Sequence, residues 1–438
     1  MKKVAGIGLA VLICIGFANF GRAQSTDQIS GLWLVTRVFS GNTQFQKITL
    51  KLENGKVTGA FGGGKKIEGT LQGDVLHFIA RDDFSTIECT ATVSGATISG
   101  KFVETLASDP KDARQSEITC IRRPAPRSGP AERHEFTPTT FYREFSASPQ
   151  PVLHIWPGDT VHTTTVDAGG ADERGVTRSL GGNPQTGPFY IESAWPGDTL
   201  AIHFTRIRLN RDYAISDDGI VGRAIDSDLA VKLKDAGNSV RWHLDRERMV
   251  ATTQSPGDHL KTFTVPLRPM LGCVATAPAR GSVVTGDSGG FGGNMDFNEI
   301  VEGVTVYLPV NWPGALLYVG DGHAAQGDGE LNGDALETSM EVDFTATLIP
   351  NKRFNTPRVE SDSQIMTVGL GGSLEDSLRG AISGMSQWLE QDYGLTPTEI
   401  AQVLGTSVQL SIGEVADRNA AVAAKLSKQR LATLTKKQ

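Results

Sequence analysis

Polar and apolar residues alternate through the first quarter of the chain. Ile48, Leu50 and Leu52 are separated by polar neighbours, the period of a strand with one buried face. Comparable runs are Ile29 to Phe39, Phe45 to Leu52, Lys56 to Phe61, Lys65 to Leu71, Val75 to Ala80, Glu88 to Val93 and Thr97 to Glu104. Asn54-Gly55, Gln72-Gly73-Asp74 and Ser94-Gly95-Ala96 divide them, and these are the residue types that hairpin turns demand. Residues 24–122 are therefore predicted to form a small all-β domain, a meander closing into a barrel or sandwich. Trp33 suits its core better than a ligand cavity. The run Arg122 to Pro130 holds three prolines and predicts an extended linker over residues 123–133.

From residue 134 a larger β-rich domain is expected, reaching residue 438. Trp-Pro-Gly-Asp-Thr occurs at 156–160 and again at 195–199, each time before an apolar strand, and Trp312-Pro313-Gly314 precedes Ala315 to Val319. Pro-Gly is a turn signal whose Asp can accept from nearby backbone amides, so Asp159 and Asp198 read as structural. Asn210 to His259 shows no periodicity and is expected to form a flap or an oligomer contact. Helical spacing enters late, with Leu374, Leu378, Ala381, Met385, Trp388 and Leu389 after Ser373 and Asp376. Thr396-Pro397-Thr398-Glu399 supplies an N-cap, a proline at the first helical position and a glutamate at the third. A last strand, Ser407 to Ile412, precedes a basic tail from Lys425. The predicted fold class is mainly β with some α: a barrel or sandwich, then a β-rich domain with C-terminal helices.

The 438 residues are 39% hydrophobic and 21% charged, with fifty glycines and a formal charge of −7. No basic stripe suits nucleic acid. Lys2-Lys3, the apolar run Val4 to Phe20 and Gly21-Arg22-Ala23 have the build of a signal peptide over residues 1–23, cleaved after Ala23. Export to a periplasm or the exterior is expected, and no later stretch is apolar enough to span a bilayer. In an oxidising compartment Cys89 and Cys120, which share the small domain, could form a bridge. Cys273, in an apolar run, reads as a buried inert thiol.

Chemistry concentrates between Gly289 and Glu337. Asp296, Asp321, His323, Gln326, Asp328 and Glu330 stand among Gly320, Gly322, Gly327 and Gly329. Residues two apart in an extended segment share a face, which puts Asp321 beside His323. Carboxylates and an imidazole delivered by an apolar strand to a Gly-rich loop point to a metal or catalytic site. Asp167 ends an earlier strand before Gly169-Gly170, and Glu192 lies in an apolar run where a carboxylate needs a partner. Gly286-Asp287-Ser288-Gly289-Gly290 looks like the nucleophile motif of trypsin-like serine proteases. The histidine context that chemistry requires upstream is absent, and His323 falls after the serine.

Four stretches, GNPQTGPFYIESAWPGDTL (182–200), PMLGCVATAP (269–278), GGNMDFNEIVEGVTVYLPV (292–310) and GALLYVGDGHAAQGDGEL (314–331), occur in order. Together they resemble the acetamidase/formamidase family over about residues 134–430. Ala275 stands where the family's pattern has a second glycine, and the front β domain is extra to the family's usual plan. The resemblance implies hydrolysis of formamide, acetamide or related small linear amides to a carboxylate and ammonia. A divalent cation could polarise the amide carbonyl and acidify a bound water. Asp167, Asp296, Asp321 and His323 are the expected metal ligands, a mixed oxygen and nitrogen set that suits zinc. Calcium would need more oxygens, from Asp328 or Glu330. Glu330 is the expected general base and Gln326 the group that orients the amide, with Asp328 and Glu192 as further catalytic candidates. A homo-oligomer is also expected. Two rivals stay open: a hydrolase of another carbonyl, such as a lactone or cyclic imide, and a small-amide binding protein without turnover.

Overall fold

The computed structural model describes residues 29–435. The signal-peptide reading of residues 1–23 lies outside the described residues. The chain divides into two compact units, one ending at Arg123 and one beginning at Pro124.

The first unit is a closed eight-stranded barrel. Its strands are β1 (Gly31–Phe39), β2 (Asn42–Glu53), β3 (Lys56–Phe61), β4 (Lys65–Gln72), β5 (Val75–Arg81), β6 (Ser85–Ser94), β7 (Thr97–Leu106) and β8 (Asp109–Arg122). Each pairs antiparallel with the next, and β1 with β8 closes the ring. Closure removes the exposed edges that an open meander would present. Burial alternates residue by residue along β6, so the period read in the sequence is the inside–outside period of a barrel wall. Asn54 and Gly55 both have positive φ, as the tightest hairpin turn needs. The interior is solid: Phe102 packs edge-on against Phe61 at 5.3 Å and Phe78 at 6.0 Å. Trp33 is fully buried and donates its indole N–H to the Ile29 carbonyl at 2.8 Å. β8 is not legible in the sequence, because its first half is exposed and shows no apolar alternation.

The expected Cys89–Cys120 bridge is absent, and both thiols are free and buried. They lie on β6 and β8 with β7 between them. Two strand spacings make about 9 to 10 Å, beyond the Cα separation of about 7 Å that a disulfide spans.

The second unit stacks two sheets around one core. One sheet has nine strands, in the order Gln409–Ile412, Ala420–Ser427, Gln364–Gly371, Arg358–Glu360, Thr305–Pro309, Thr199–Leu209, Met340–Ile349, Thr160–Thr164 and Arg133–Glu135. The other has eleven, with Met270–Ala275 and Leu317–His323 at its middle. Leu200, Ile202, Phe204, Val306 and Phe344 from the first sheet meet Leu271, Val274, Leu317 and Val319 from the second in a common apolar core. In both Trp-Pro-Gly-Asp-Thr copies the buried Asp accepts the Trp amide, at 2.9 Å for Asp159 and 3.0 Å for Asp198. The repeat is thus a self-closing turn that launches a strand.

The helix Leu374–Tyr393 starts at Ser373, whose hydroxyl accepts the Asp376 amide. Pro397–Ser407 starts with the full capping box at Thr396 and Glu399. The first helix lies directly on the strand Gln364–Gly371. A Cβ on Gly369 would stand 1.9 Å from the Ser377 carbonyl oxygen, so glycine sets that approach. Two features were not legible in the sequence. Residues 210–259 hold the strands Tyr213–Asp217, Ser239–Asp245 and Val250–Thr253 of the eleven-stranded sheet. The basic tail begins inside the strand Ala420–Ser427, whose small residues pack beneath the helices.

With no bridge in the barrel, a chain beginning at Gln24 should titrate three thiols per molecule after unfolding without reductant, and essentially none when native. A disulfide would leave one.

Candidate metal and catalytic centre

Every residue of the strand Leu317–His323 is buried. Met270–Ala275 pairs along one edge, and Gln185–Ile191 and Glu337–Thr338 along the other. In so crowded a place the glycines are spacers. A Cβ on Gly322 would fall 2.3 Å from Met340 Cγ, and one on Gly320 would fall 2.7 Å from Gln185 Oε1. Between them Asp321 takes a left-handed backbone, φ 58°, which is costly for a non-glycine residue within a strand. Asp296 (φ 37°) and Glu330 (φ 48°) share that feature. All three acids are held in strained backbone and buried.

Their carboxylates converge on His323. Its Nε2 lies 3.0 Å from Glu337 Oε1, 3.5 Å from Asp321 Oδ2 and 3.8 Å from Asp296 Oδ1. Asp296, Asp321 and His323 offer ligand atoms within 4.8 Å of one another, as do His323, Glu330 and Glu337. Gly272, opposite Asp321 on the neighbouring strand, makes the room. A Cβ there would stand 2.2 Å from Asp296 Oδ1 and 2.4 Å from Asp321 Oδ2.

Asp296 Oδ1, Asp321 Oδ1 and Glu337 Oε2 are buried without a hydrogen-bond partner. Burial, joined by Glu330 and Asp321, drives the Asp296 carboxyl well above its usual range. Burial also raises Glu330 well above its usual value, against the pull of His323. Glu337 is pushed up to about 8 by burial, with Asp321 adding to the rise and His323 opposing it. Burial works against a charged His323, but Glu337 and Asp321 outweigh it and raise the imidazole well above its ordinary value. So many acids in a dry space demand positive charge, as protons or as a cation. The unpartnered oxygens, the cradle at Gly272 and the mixed donor set all fit a bound metal ion.

Gln326 fixes which imidazole nitrogen faces the acids. Its Nε2 donates to the carbonyls of Asp296 (2.6 Å) and Gly413 (3.1 Å). Its Oε1 therefore faces His323 Nδ1 at 2.9 Å and accepts the proton there. Nε2 is left to the acids. A hydrogen bond on the far nitrogen is how proteins orient a ligating histidine.

An outer layer supports the acids. Asn294 Nδ2 donates to Asp296 Oδ2 at 2.6 Å and also to Asp417. Its Oδ1 accepts from Asn183 at 3.1 Å and from the Cys273 thiol at 2.6 Å. Burial, with Asp321 and Asp296, raises the Cys273 thiol far above its ordinary value, in keeping with an inert cysteine. Burial also pushes Glu414 up to about 8 and Asp417 up to about 6.

Of the residues singled out from sequence, the structure gathers Asp296, Asp321, His323, Gln326 and Glu330. It does not gather three others. Asp167 is committed to Arg211 Nη2 at 2.6 Å and to the Ala171 amide at 2.8 Å, so it is no ligand of this centre. Glu192 pairs with His154 at 2.8 Å on the surface. Asp328 is exposed and accepts from Asn298. Gln326 has a changed role, since both ends of its amide are occupied inside the protein and none is left for a substrate. Glu337, Asn294, Asp417 and Glu414 were overlooked. Glu337, following Ala335-Leu336, carries the same signal of a carboxylate needing a partner as Glu192. Asn294 shares the face of Asp296 by the two-residue period.

A two-sheet β unit with a buried acid–imidazole centre able to hold a metal defines the class. Residues 284–437 match the model of the Acetamidase/Formamidase family. Over that stretch the chain is similar to the acetamidase/formamidase family, in line with the resemblance of its motifs. A formamidase predicted in Schizosaccharomyces pombe is 39% identical over 61 residues, 14% of this chain and 15% of that relative's length. An acetamidase structure from Yersinia enterocolitica is similar at a TM-score of 0.59 with 29% identity, covering 70% of this chain and 94% of that one. A predicted acetamidase/formamidase from Thermoanaerobacter tengcongensis has the same fold at a TM-score of 0.59 and 24% identity, covering 70% of this chain and 98% of its own.

Two substitutions separate cradle from orientation. Gly272→Ala should displace the Asp296 and Asp321 carboxylates and abolish tight divalent-ion binding while the circular dichroism stays native. Gln326→Ala should keep a site but weaken it by roughly 10- to 100-fold. Calorimetric metal titration checks both, and unchanged affinity in either variant contradicts the corresponding role.

Proposed function

We propose that this chain is a hydrolase that cleaves the C–N bond of small linear amides, of the formamide and acetamide type, to a carboxylate and ammonia. The observation that carries this reading is the convergence of the buried Asp296, Asp321 and Glu337 carboxylates on His323. The family match over residues 284–437 supports the reaction class. Asp296, Asp321 and His323 would hold a divalent cation, with Glu337 beside them, and the one imidazole among carboxylates favours zinc over calcium. When bound, such an ion supplies carbonyl polarisation and a water acidified toward neutrality.

The chain's own groups do the remaining work. Glu330, whose carboxyl burial raises well above its usual value, is the group assigned to take a proton from water and release it again. As water adds to the carbonyl carbon, the proton accepted by Glu330 passes to the nitrogen, the C–N bond breaks, and ammonia leaves. Gln326 holds the imidazole in place throughout. Burial keeps bulk water away and strengthens each charge–dipole contact.

We also propose export of the chain with cleavage after Ala23, on the strength of Lys2-Lys3, Val4 to Phe20 and Ala23; a mature N-terminus at Gln24 on protein recovered outside the cytoplasm would support it, and protein retained in the cytoplasm with Met1 intact would refute it.

Ammonia release from formamide and acetamide by the purified chain is the test of function. Chelation should abolish it and zinc should restore it. Asp321→Asn and His323→Ala should each lose roughly a hundredfold or more while remaining folded. Turnover unchanged in both variants would refute the assignment.

A further inference from the structure

We propose that the second unit carries a separate binding site for an organic carboxylate with an apolar body, anchored by Arg358. The site is a cavity of about 1020 Å3 between the strand Arg358–Glu360 and the C-terminal end of the helix Leu374–Tyr393. Phe354, Tyr307, Trp388, Tyr393, Leu431 and Leu434 line it. That is the build of a small-molecule pocket, apolar walls around a few fixed polar groups.

The polar group that stands out is Arg358. It is only 2% exposed, and its guanidinium lies over two aromatic rings, 4.1 Å from the Phe354 ring centre and 4.9 Å from that of Trp388. Among the described residues its Nη2 alone has a hydrogen-bond partner, Gln391 Oε1 at 2.9 Å, and Nε is buried with none. No carboxylate lies within ion-pair reach of it among the described residues. The other charges in the wall are matched: Lys352 with Asp392 at 2.5 Å, and Glu360 with both Lys428 at 2.6 Å and the Tyr307 hydroxyl at 2.7 Å. One positive charge remains.

A structural duty at the helix end does not explain it. The helix closes itself at Gly394, in the left-handed conformation, whose N–H reaches the Glu390 and Leu389 carbonyls. Arg358 bonds a side chain there, not a terminal carbonyl. Burial lowers its pKa to about 10, with Asp392 and Tyr307 only partly opposing the fall. A ligand carboxylate would supply the missing acceptor in the planar fork that guanidinium favours. Its apolar part would stack among the aromatic rings. None of these residues belongs to the His323 centre, so the proposal stands or falls apart from amide hydrolysis.

The test is calorimetric titration of the purified full chain with sodium benzoate, with benzyl alcohol as the neutral probe of the same shape. Saturable benzoate binding is expected, with the alcohol weaker by at least about tenfold. Arg358→Met should weaken benzoate by a similar factor. Leu434→Trp, which keeps the guanidinium and fills the space, should do so as well. Asp321→Asn should leave benzoate affinity unchanged, which separates this site from the acid–imidazole centre. The proposal is overturned by no saturable binding to the wild type, by equal affinity for the alcohol, by loss of binding in Asp321→Asn, or by unaltered benzoate affinity in Leu434→Trp.

Discussion

Like-charge repulsion in a dry interior is the constraint on which this structure turns. Asp296, Asp321, Glu330 and Glu337 surround one imidazole at the middle of a sheet, where water cannot spread their charge. Isolated buried carboxylates cost far more than a domain's net stability unless neutralised. A protonated His323 offsets one charge and the raised carboxyl pKa values offset others. Asp296 Oδ1, Asp321 Oδ1 and Glu337 Oε2 have no partner, which leaves room in the arrangement for a further positive charge. A proton on His323 Nε2 and a divalent cation are competing occupants of the same space, so metal uptake should release protons.

The fold meets this constraint by being stiff where the acids sit. Leu317–His323 is paired on both edges and buried on both faces. Gly272, Gly320 and Gly322 remove the side chains that would compete for the space. The positive φ values of Asp321, Asp296 and Glu330 aim their carboxylates where regular strand geometry would not. Strain held at a functional site by well-packed surroundings is a common arrangement. The two-sheet body, the repeated Trp-Pro-Gly-Asp-Thr turns and the capped helices supply that packing.

Local rules made much of this legible. Alternation revealed seven of the eight barrel strands, and capping residues located both long helices. The two-residue period placed Asp321 beside His323, which the structure sets 3.5 Å apart. What sequence withheld depends on pairing across long separations. Glu337 joins the centre because its strand pairs with His323 after a loop. Asp167 leaves it because Arg211, in a stretch without visible period, captures the carboxylate. Gln326 has a single composition but two possible duties, and only the positions of the Asp296 and Gly413 carbonyls decide between them.

The central claim is that the buried acids around His323 exist to hold a divalent ion. Elemental analysis of the chain, purified without chelator and dialysed free of loose metal, tests it most directly. The account predicts about one tightly held divalent ion per wild-type chain and none in a folded Asp296→Asn/Asp321→Asn double variant. A wild-type chain free of bound metal that still releases ammonia from amides would contradict it, as would a double variant that retains the ion.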